Sequence, residues 1–590
     1  MSLLNKKRIF IILLAFSIVL GGFALRLSWI QWSSAWLPVT AARKTMNEMA
    51  VRQREEGIEL DSGRGGFTDR NGEALTGFTR WEPTLFPVSK LPDQAHLKKM
   101  AELLGTSTGK LSSTWSGLKQ PYVWTNGAGA ALLKQGAWPK VDGFEMLPVM
   151  KRYPGGMRGN QWLGYVAQRP DVVRKLKAGG TPYPLPLSLQ IGASGLEKTL
   201  DRFLRGTGGT RVYYTVDGKK RPLTEIGTRV QGPANPYYPV QVVTTVDNGI
   251  QQKLERLVDR MQIKEGSVVV LDARQGDVIA MVSRPFYDPS RIDLDSGNWS
   301  NRAAKAAVPG SIFKIVIAAA ALEEKVTRPG EVFHCSGHYG KYGLACWNKA
   351  GHGDITLEEG FAKSCNVVFA TLGERLSPES IARTAAKLGL NRKIGWSESA
   401  FMGGEDLAQI DQEEKGGVFG PKTAIDGGVL AQTALGQRDV LITPLQAANL
   451  IVTLLHDGQV ASPRLASSIR FKDGSEMAVF PAHTIHAPEG RISARTARLL
   501  LGWMREVVTR GTGRSLTAAA WPLAGKSGTA QTLVNGRERN NQWFIGYGPL
   551  GSPKYAVAVL VQNRPAGSEH QAIALFRKTM DMLAGQEAKS

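Results

Sequence analysis

A chain of 590 residues is longer than one hydrophobic core usually organises, so two or more folded units with attachments are expected. Its formal charge of +22 draws polyanions, but aromatic and basic residues do not interleave as in a single-strand binding platform and no paired Cys/His finger spacing occurs, so no nucleic-acid partner is expected. An anionic envelope polymer or a membrane surface accounts for the same charge, and three cysteines are too few for a disulfide scaffold.

The first element predicted is a membrane helix. Lys6, Lys7 and Arg8 precede a run without ionisable groups from Ile9 to Leu25, closed by Arg26. At about 1.5 Å per residue such a helix is slightly short for the roughly 30 Å hydrocarbon layer. Arg26 can snorkel, and Trp29 and Trp32 suit the headgroup region. The expected order is a cytoplasmic segment (1–8), a transmembrane anchor (9–25) in the cytoplasmic membrane and a membrane-proximal stalk (26–60), with the rest of the chain outside. A cleaved signal peptide is the competing reading, for which Gly22 and Ala24 supply only a weak processing site.

Residues 61–237 are rich in Gly, Pro and basic side chains, with turn signals at Asn71-Gly72, Pro154-Gly155-Gly156 and Gly206 to Gly209. They read as a noncatalytic α+β module, with a short helix from Leu91 to Leu104 and similar spacing around Leu132. QGPANP then leads into a second unit, 238–585. There VQVVTTV is strand-like, Asn248 to Met261 is helical in spacing, and SVVVLDA and DVIAMVS flank Arg274-Gln275-Gly276 as hairpin arms. LAGKSGTAQ, NQWFIGYGP and YAVAVLVQN read as three further strands, closed by a helix from His570 to Leu583. Strands at both ends of this unit and helices from about 311 to 450 imply an α+β fold, a sheet assembled from distant segments and covered by helices.

Three short patterns in this unit carry chemistry. In Pro309-Gly310-Ser311-Ile312-Phe313-Lys314, followed by IVIAAAALEE, Gly310 makes the turn and the Ala-rich run forms a helix, which sets Lys314 one turn beyond the Ser311 hydroxyl. A lysine whose pKa is lowered by desolvation can take the serine proton. Ser364-Cys365-Asn366 offers a hydroxyl to relay a proton and an amide to donate to a substrate carbonyl. Lys526-Ser527-Gly528-Thr529, in a strand-like setting, offers positive charge, two hydroxyls for a terminal carboxylate, a glycine that admits a ligand close to the backbone, and an edge for main-chain hydrogen bonds. The backbone N–H groups of Ser311 and Thr529 together suit an oxyanion hole. Each pattern alone is a common accident, whereas all three in this order form the set used by penicillin-binding proteins and serine β-lactamases.

On these motifs the chain resembles a class B penicillin-binding protein, a monofunctional D,D-transpeptidase of division, elongation or sporulation. The resemblance extends to GRGGFTDRNGEALT at 63–76, GASGLEKTLDRFLRGTGG at 192–209, ALGQ at 434–437, TPLQ at 443–446, GTG at 511–513 and the strand around Trp543 and Phe544. Ser527 stands where many members carry threonine, and 77–190 match only diffusely. RVYYTVDGKKRPL at 211–223 looks like the excursion between fastening segment and linker. The resemblance implies a penicillin-binding/serine β-lactamase-like fold and a serine acyl-enzyme that joins peptidoglycan stem peptides, with Ser311, Lys314, Ser364, Asn366 and Lys526 catalytic. It also implies covalent inhibition by β-lactams, no cofactor, and a multi-pass membrane glycan polymerase as partner. A D,D-carboxypeptidase or β-lactamase-like hydrolase shares the same acyl-enzyme, and an inactive wall-synthesis scaffold is the rival of another class.

One segment stands outside those motifs. In HCSGHYGKYGLACWNKAGHG (334–353), a Cys335–Cys346 disulfide is expected in an oxidising compartment, worth about 2–4 kcal/mol if unstrained. A zinc site formed by the same cysteines with His334, His338 and His352 is the alternative. Cys365 is expected unpaired beside the site.

Overall fold

The computed structural model describes residues 3–36, 45, 55–125, 140–153, 161–180, 185–217, 223, 228–233 and 235–588. The Pro154-Gly155-Gly156 turn, the spacing around Leu132, residues 37–44 and 46–54 of the stalk, and parts of QGPANP and the 211–223 excursion lie outside the described residues.

The first helix, α1 (Leu3–Trp36), is longer than the apolar run because no Gly or Pro interrupts the sequence from Phe23 to Trp36. Its membrane-compatible stretch, Lys6–Ser33, has 28 residues. At about 1.5 Å per residue it reaches through both headgroup regions as well as the hydrocarbon core.

The folded part divides into two compact units that do not follow linear order. One comprises 1–63, 78–151 and 208–235, the other 64–77, 152–207 and 236–590. In the first, Phe78–Leu85 pairs with both Tyr122–Val123 and Phe144–Lys151, and the helices Gln94–Leu103 and Thr108–Ser116 close a core around Leu85, Leu97, Leu111 and Trp115. The helix expected from Leu91 begins later because the Asp93 carboxylate accepts from the His96 N–H at 2.8 Å and caps it.

The second unit takes in 64–77 and 152–207 for visible reasons. Gly66–Thr68 runs parallel to Gln241–Thr244 as one strand of its sheet. Glu197 is fully buried, and both of its carboxylate oxygens are occupied. Arg64 Nε donates to Oε2 at 2.9 Å, while Arg152 Nε (2.7 Å) and the Tyr153 hydroxyl (3.2 Å) donate to Oε1. Arg64 also donates to Asp201 at 2.7 Å.

At the centre of this unit lies an antiparallel five-stranded sheet. Its strands are β1 (Gly266–Asp272), β2 (Val278–Arg284), β3 (Ala524–Val534), β4 (Arg537–Gly548) and β5 (Tyr555–Pro565), in spatial order β2-β1-β5-β4-β3. The apolar runs are continuous because both faces are covered. Val268, Val270, Phe544 and Val559 pack beneath α2 (Asn248–Arg260) and the C-terminal helix Gln571–Glu587. Val269, Leu271, Trp543 and Ile545 belong to the other core. That core also holds residues of α3 (Lys314–Glu323), α4 (Asn366–Arg375), α5 (Pro444–Leu455) and α6 (Ala494–Thr509). Strand β3 forms one border of the sheet and carries Lys526 to Thr529.

Candidate active site

The turn that carries Ser311 is a single 3-10 turn, Gly310–Phe313, leading into α3. With three residues per turn, positions i and i+3 eclipse, so Lys314 emerges below Ser311. Gly310 has φ +58, and a Cβ there would lie 2.3 Å from the Thr529 carbonyl oxygen. Its N–H donates to the Gly436 carbonyl at 2.9 Å. Gly436, in ALGQ, has φ +70 and would place a Cβ 2.0 Å from the Gly310 oxygen. Two glycines thus interlock, and they bring the serine turn against β3. Gly528 serves the same contact: a Cβ there would meet the Pro309 oxygen at 2.7 Å, so this glycine admits the serine turn, a role not expected from the sequence. Trp543 Nε1, one strand inward, donates to the Val308 carbonyl at 2.9 Å.

Behind the turn, both lysines are completely buried and meet at one hydroxyl. Lys526 Nζ donates to Ser364 Oγ at 3.0 Å and to the Ser527 carbonyl at 3.0 Å. Lys314 Nζ donates to Ser364 Oγ at 3.3 Å, to the Ser364 carbonyl at 2.8 Å and to Asn366 Oδ1 at 2.8 Å. Lys314 is thereby oriented toward the Ser364–Asn366 turn. Burial lowers its pKa to about 7, an effect partly opposed by Cys365 and Cys346. Lys526 is lowered well below the ordinary lysine range, by burial first and by the Lys314 charge second. Its charge acts from behind the strand rather than on the surface.

Ser364 sits at φ +54, a conformation unfavourable for a residue with a side chain, held by its N–H to Phe361 O (3.1 Å) and by Cys365 N–H to Gly360 O (2.8 Å). Asn366 opens α4, and its Nδ2 donates to the Ala345 carbonyl at 3.0 Å. One amide hydrogen expected to face a substrate is therefore committed to the protein. On β3, Ser527 Oγ and Thr512 Oγ1 are 2.6 Å apart, and Thr529 is exposed. Thr512 belongs to GTG, where Gly511 would place a Cβ 2.1 Å from the Ala362 carbonyl. His570 contacts the Gly528 carbonyl through Nε2 at 3.2 Å, and burial lowers its pKa. Neither Thr512 nor His570 was singled out from the sequence as a site residue; GTG was the one available signal.

Cys335 and Cys346 do not form the expected disulfide: both are buried free thiols. His352 Nδ1 lies 3.6 Å from Cys335 Sγ and 3.5 Å from Cys346 Sγ, and Cys346 Sγ lies 3.9 Å from Cys365 Sγ. The four donor atoms fall within 4.8 Å of one another. His334 pairs instead with Asp354 on the exposed hairpin, and His338 stands outside the group, so neither joins the metal-ligating set expected from sequence. Cys365, expected alone, completes it.

Comparison with known proteins agrees with this architecture. Residues 266–581 match the penicillin-binding protein transpeptidase domain, and residues 59–235 match the penicillin-binding protein dimerisation domain. Stage V sporulation protein D of Bacillus subtilis is 31% identical over 396 residues, covering 64% of this chain and 57% of that protein. The peptidoglycan D,D-transpeptidase PbpA of Mycolicibacterium smegmatis is 30% identical over 447 residues, covering 69% of this chain and 82% of that protein. The alignments thus span less than two thirds of the length of some relatives. A chain in a solved peptidoglycan synthase complex, in which polymerization and crosslinking are coordinated, shares the fold with a TM-score of 0.66 at 23% identity over 98% of both chains.

Proposed function

Since the chain belongs to the penicillin-binding protein transpeptidase family, we propose that it is a serine D,D-transpeptidase that cross-links peptidoglycan stem peptides through an acyl-enzyme on Ser311. Among the described residues one helix is long and apolar enough to cross a membrane, and the protein is single-pass with its transpeptidase domain outside the cytoplasm.

The observation that carries this reading is the convergence of three distant motifs. Ser364 Oγ receives Lys314 and Lys526, while the backbone of the Ser311 turn packs on Gly528 and Thr529. In the first half-reaction, neutral Lys314 accepts the Ser311 proton as Oγ attacks the carbonyl between two D-alanines. The Ser311 and Thr529 N–H groups stabilise the oxyanion. As the C–N bond breaks, a proton passes from Lys314 through Ser364 to the departing D-alanine nitrogen. An amine of a neighbouring stem peptide then attacks the ester, loses its proton along the same route, and Ser311 regains its own. The donor lies along the open edge of β3, with its terminal carboxylate on the Ser527 and Thr529 hydroxyls. A β-lactam follows the first half-reaction and remains attached to Ser311.

Glycan strands must be made by another catalyst, because this constellation performs acyl transfer alone. A multi-pass membrane polymerase, contacted through α1, is the proposed partner, in keeping with the likeness to a chain from a synthase complex. The deciding experiment is intact mass after exposure to penicillin. The wild-type protein is expected to gain one adduct mapped to Ser311 and Ser311→Ala none, with an unchanged circular dichroism spectrum. Full labelling of Ser311→Ala would overturn the assignment.

A further inference from the structure

One peptide plane joins the Lys526–Thr529 motif to a residue outside all three motifs. Its carbonyl belongs to Gly528 and its N–H to Thr529, the proposed oxyanion donor, and His570 Nε2 lies 3.2 Å from the carbonyl oxygen. We propose that His570 is a positioning residue for acyl transfer: its Nε2–H holds the Gly528 carbonyl and, through the shared plane, aims and polarises the Thr529 N–H. This role rests on the acyl-enzyme reading of Ser311.

The contact has one chemical sense. A carbonyl oxygen only accepts, so Nε2 carries the proton and donates. Burial lowers the pKa of the ring, the hydrogen bond to Gly528 opposes this in part, and the Lys526 charge lowers it further, so the imidazole is neutral at neutral pH. In a planar trans peptide the C=O and N–H point in opposite directions, as the two ends of one dipole. A donor on the carbonyl draws electron density toward oxygen and leaves the N–H more positive, and hydrogen bonds in such a chain strengthen one another in a low-dielectric interior. Strand β3 borders the sheet, so this peptide has a neighbouring strand on one side only. Holding it by the carbonyl fixes the plane while leaving the N–H end available.

The imidazole is itself held by its neighbours in the chain. Gln542 on β4 pairs in register with Thr529 and is buried. Its Nε2 donates to the Glu569 carbonyl at 2.9 Å, and its Oε1 accepts from the Gln571 N–H at 2.8 Å. One buried amide thus staples the backbone on both sides of His570 to the strand position opposite Thr529. The C-terminal helix that begins at Gln571 is in turn fixed to the sheet by Phe576 on Phe544, with ring centres 4.6 Å apart. Gly528 also meets the serine turn through Pro309, so His570 acts where the nucleophile and the oxyanion donors are brought together.

The test uses the full-length protein in detergent. His570→Phe and His570→Leu keep bulk and remove the donor, whereas His570→Gln returns an amide N–H near the position of Nε2. Stopped-flow acylation by a fluorescent penicillin separates noncovalent binding from the covalent step. In the donor-free variants the covalent step should slow about 5- to 50-fold, less than the roughly 10²- to 10³-fold lost with an oxyanion donor itself, while the dissociation constant of the noncovalent complex stays within about twofold. His570→Gln should recover most of the rate. Infrared difference spectra, taken with penicillin carrying carbon-13 at the β-lactam carbonyl, should place the ester band of the acyl-enzyme at higher frequency in the donor-free variants than in wild type, because donation to its oxygen is weaker. An unchanged covalent rate, an unmoved ester band, or a His570→Gln rate as low as that of His570→Phe would overturn the role. So would failure of both donor-free variants to fold, which would make His570 a structural residue. Absence of a Ser311 adduct in the wild type would instead refute the acyl-enzyme reading on which the role rests.

Discussion

Two buried lysines sharing one serine hydroxyl make protonation the variable that governs this site. Lys314 has a pKa lowered to about 7, so it is cationic below that pH and a free base above it. The rate of β-lactam acylation should therefore rise with pH through about 7 and level off above, as read by stopped-flow fluorescence across pH 5.5–9. The linkage has the matching sign. Between the folded value and the ordinary 10.5 the unfolded chain binds more protons at this residue, so its burial penalises folding most below about pH 7, and the penalty fades as pH rises. Lys314→Arg retains charge but cannot act as a base, and should slow acylation by about 10²- to 10⁴-fold. The five residues of the proposed catalytic set could be named from the sequence because each belongs to a short pattern with chemical meaning. Their partners were not: Ser364 to Lys526 spans 162 positions, and only folding brings Ala345 to Asn366. The contact of Gly528 with the serine turn was not legible for the same reason, because the sequence does not reveal that the Pro309 carbonyl stands opposite it. Cys365 was counted as a bystander because its cluster is contributed by three separate segments.

At the scale of elements, the serine turn and β3 are held together by glycines that tolerate no substitution of ordinary kind. Gly310→Ala requires both a left-handed alanine, costing about 1–2 kcal/mol, and displacement of the Thr529 carbonyl. It should depress acylation far more than it depresses the thermal midpoint, because the displaced carbonyl belongs to Thr529, the residue proposed to supply one oxyanion donor. An acylation rate equal to wild type would show that the turn-to-strand contact does not set the site. Elsewhere in this unit, Glu197→Ala leaves the buried Arg64 and the partly buried Arg152 without their shared carboxylate, and should cost about 3–5 kcal/mol in urea unfolding. Element type was readable wherever apolar runs were continuous, as in SVVVLDA and YAVAVLVQN, since strands covered on both faces need no alternation. Element ends were less so: the Gln94–Leu103 helix starts where Asp93 caps it, not where its apolar spacing starts.

Across the whole molecule, the sequence conveyed an anchor followed by folded units but not their discontinuity, since 64–77 and 152–207 return to the later unit through pairing that no local pattern announces. Replacing α1 by an unrelated membrane helix should leave penicillin binding intact while reducing copurification with a glycan polymerase; equal copurification would reduce α1 to a tether. The open border of β3 has a further bearing on the life of the protein. An 11-residue strand at the border of a sheet offers its backbone edge to any extended chain, including a half-folded copy of itself, and Leu533 on it is 73% exposed. Its safeguards are local: Lys526 buried within the strand, and Arg537, Glu538 and Arg539 charging the hairpin tip next to it. An edge open to an extended ligand is thus also an edge open to self-association.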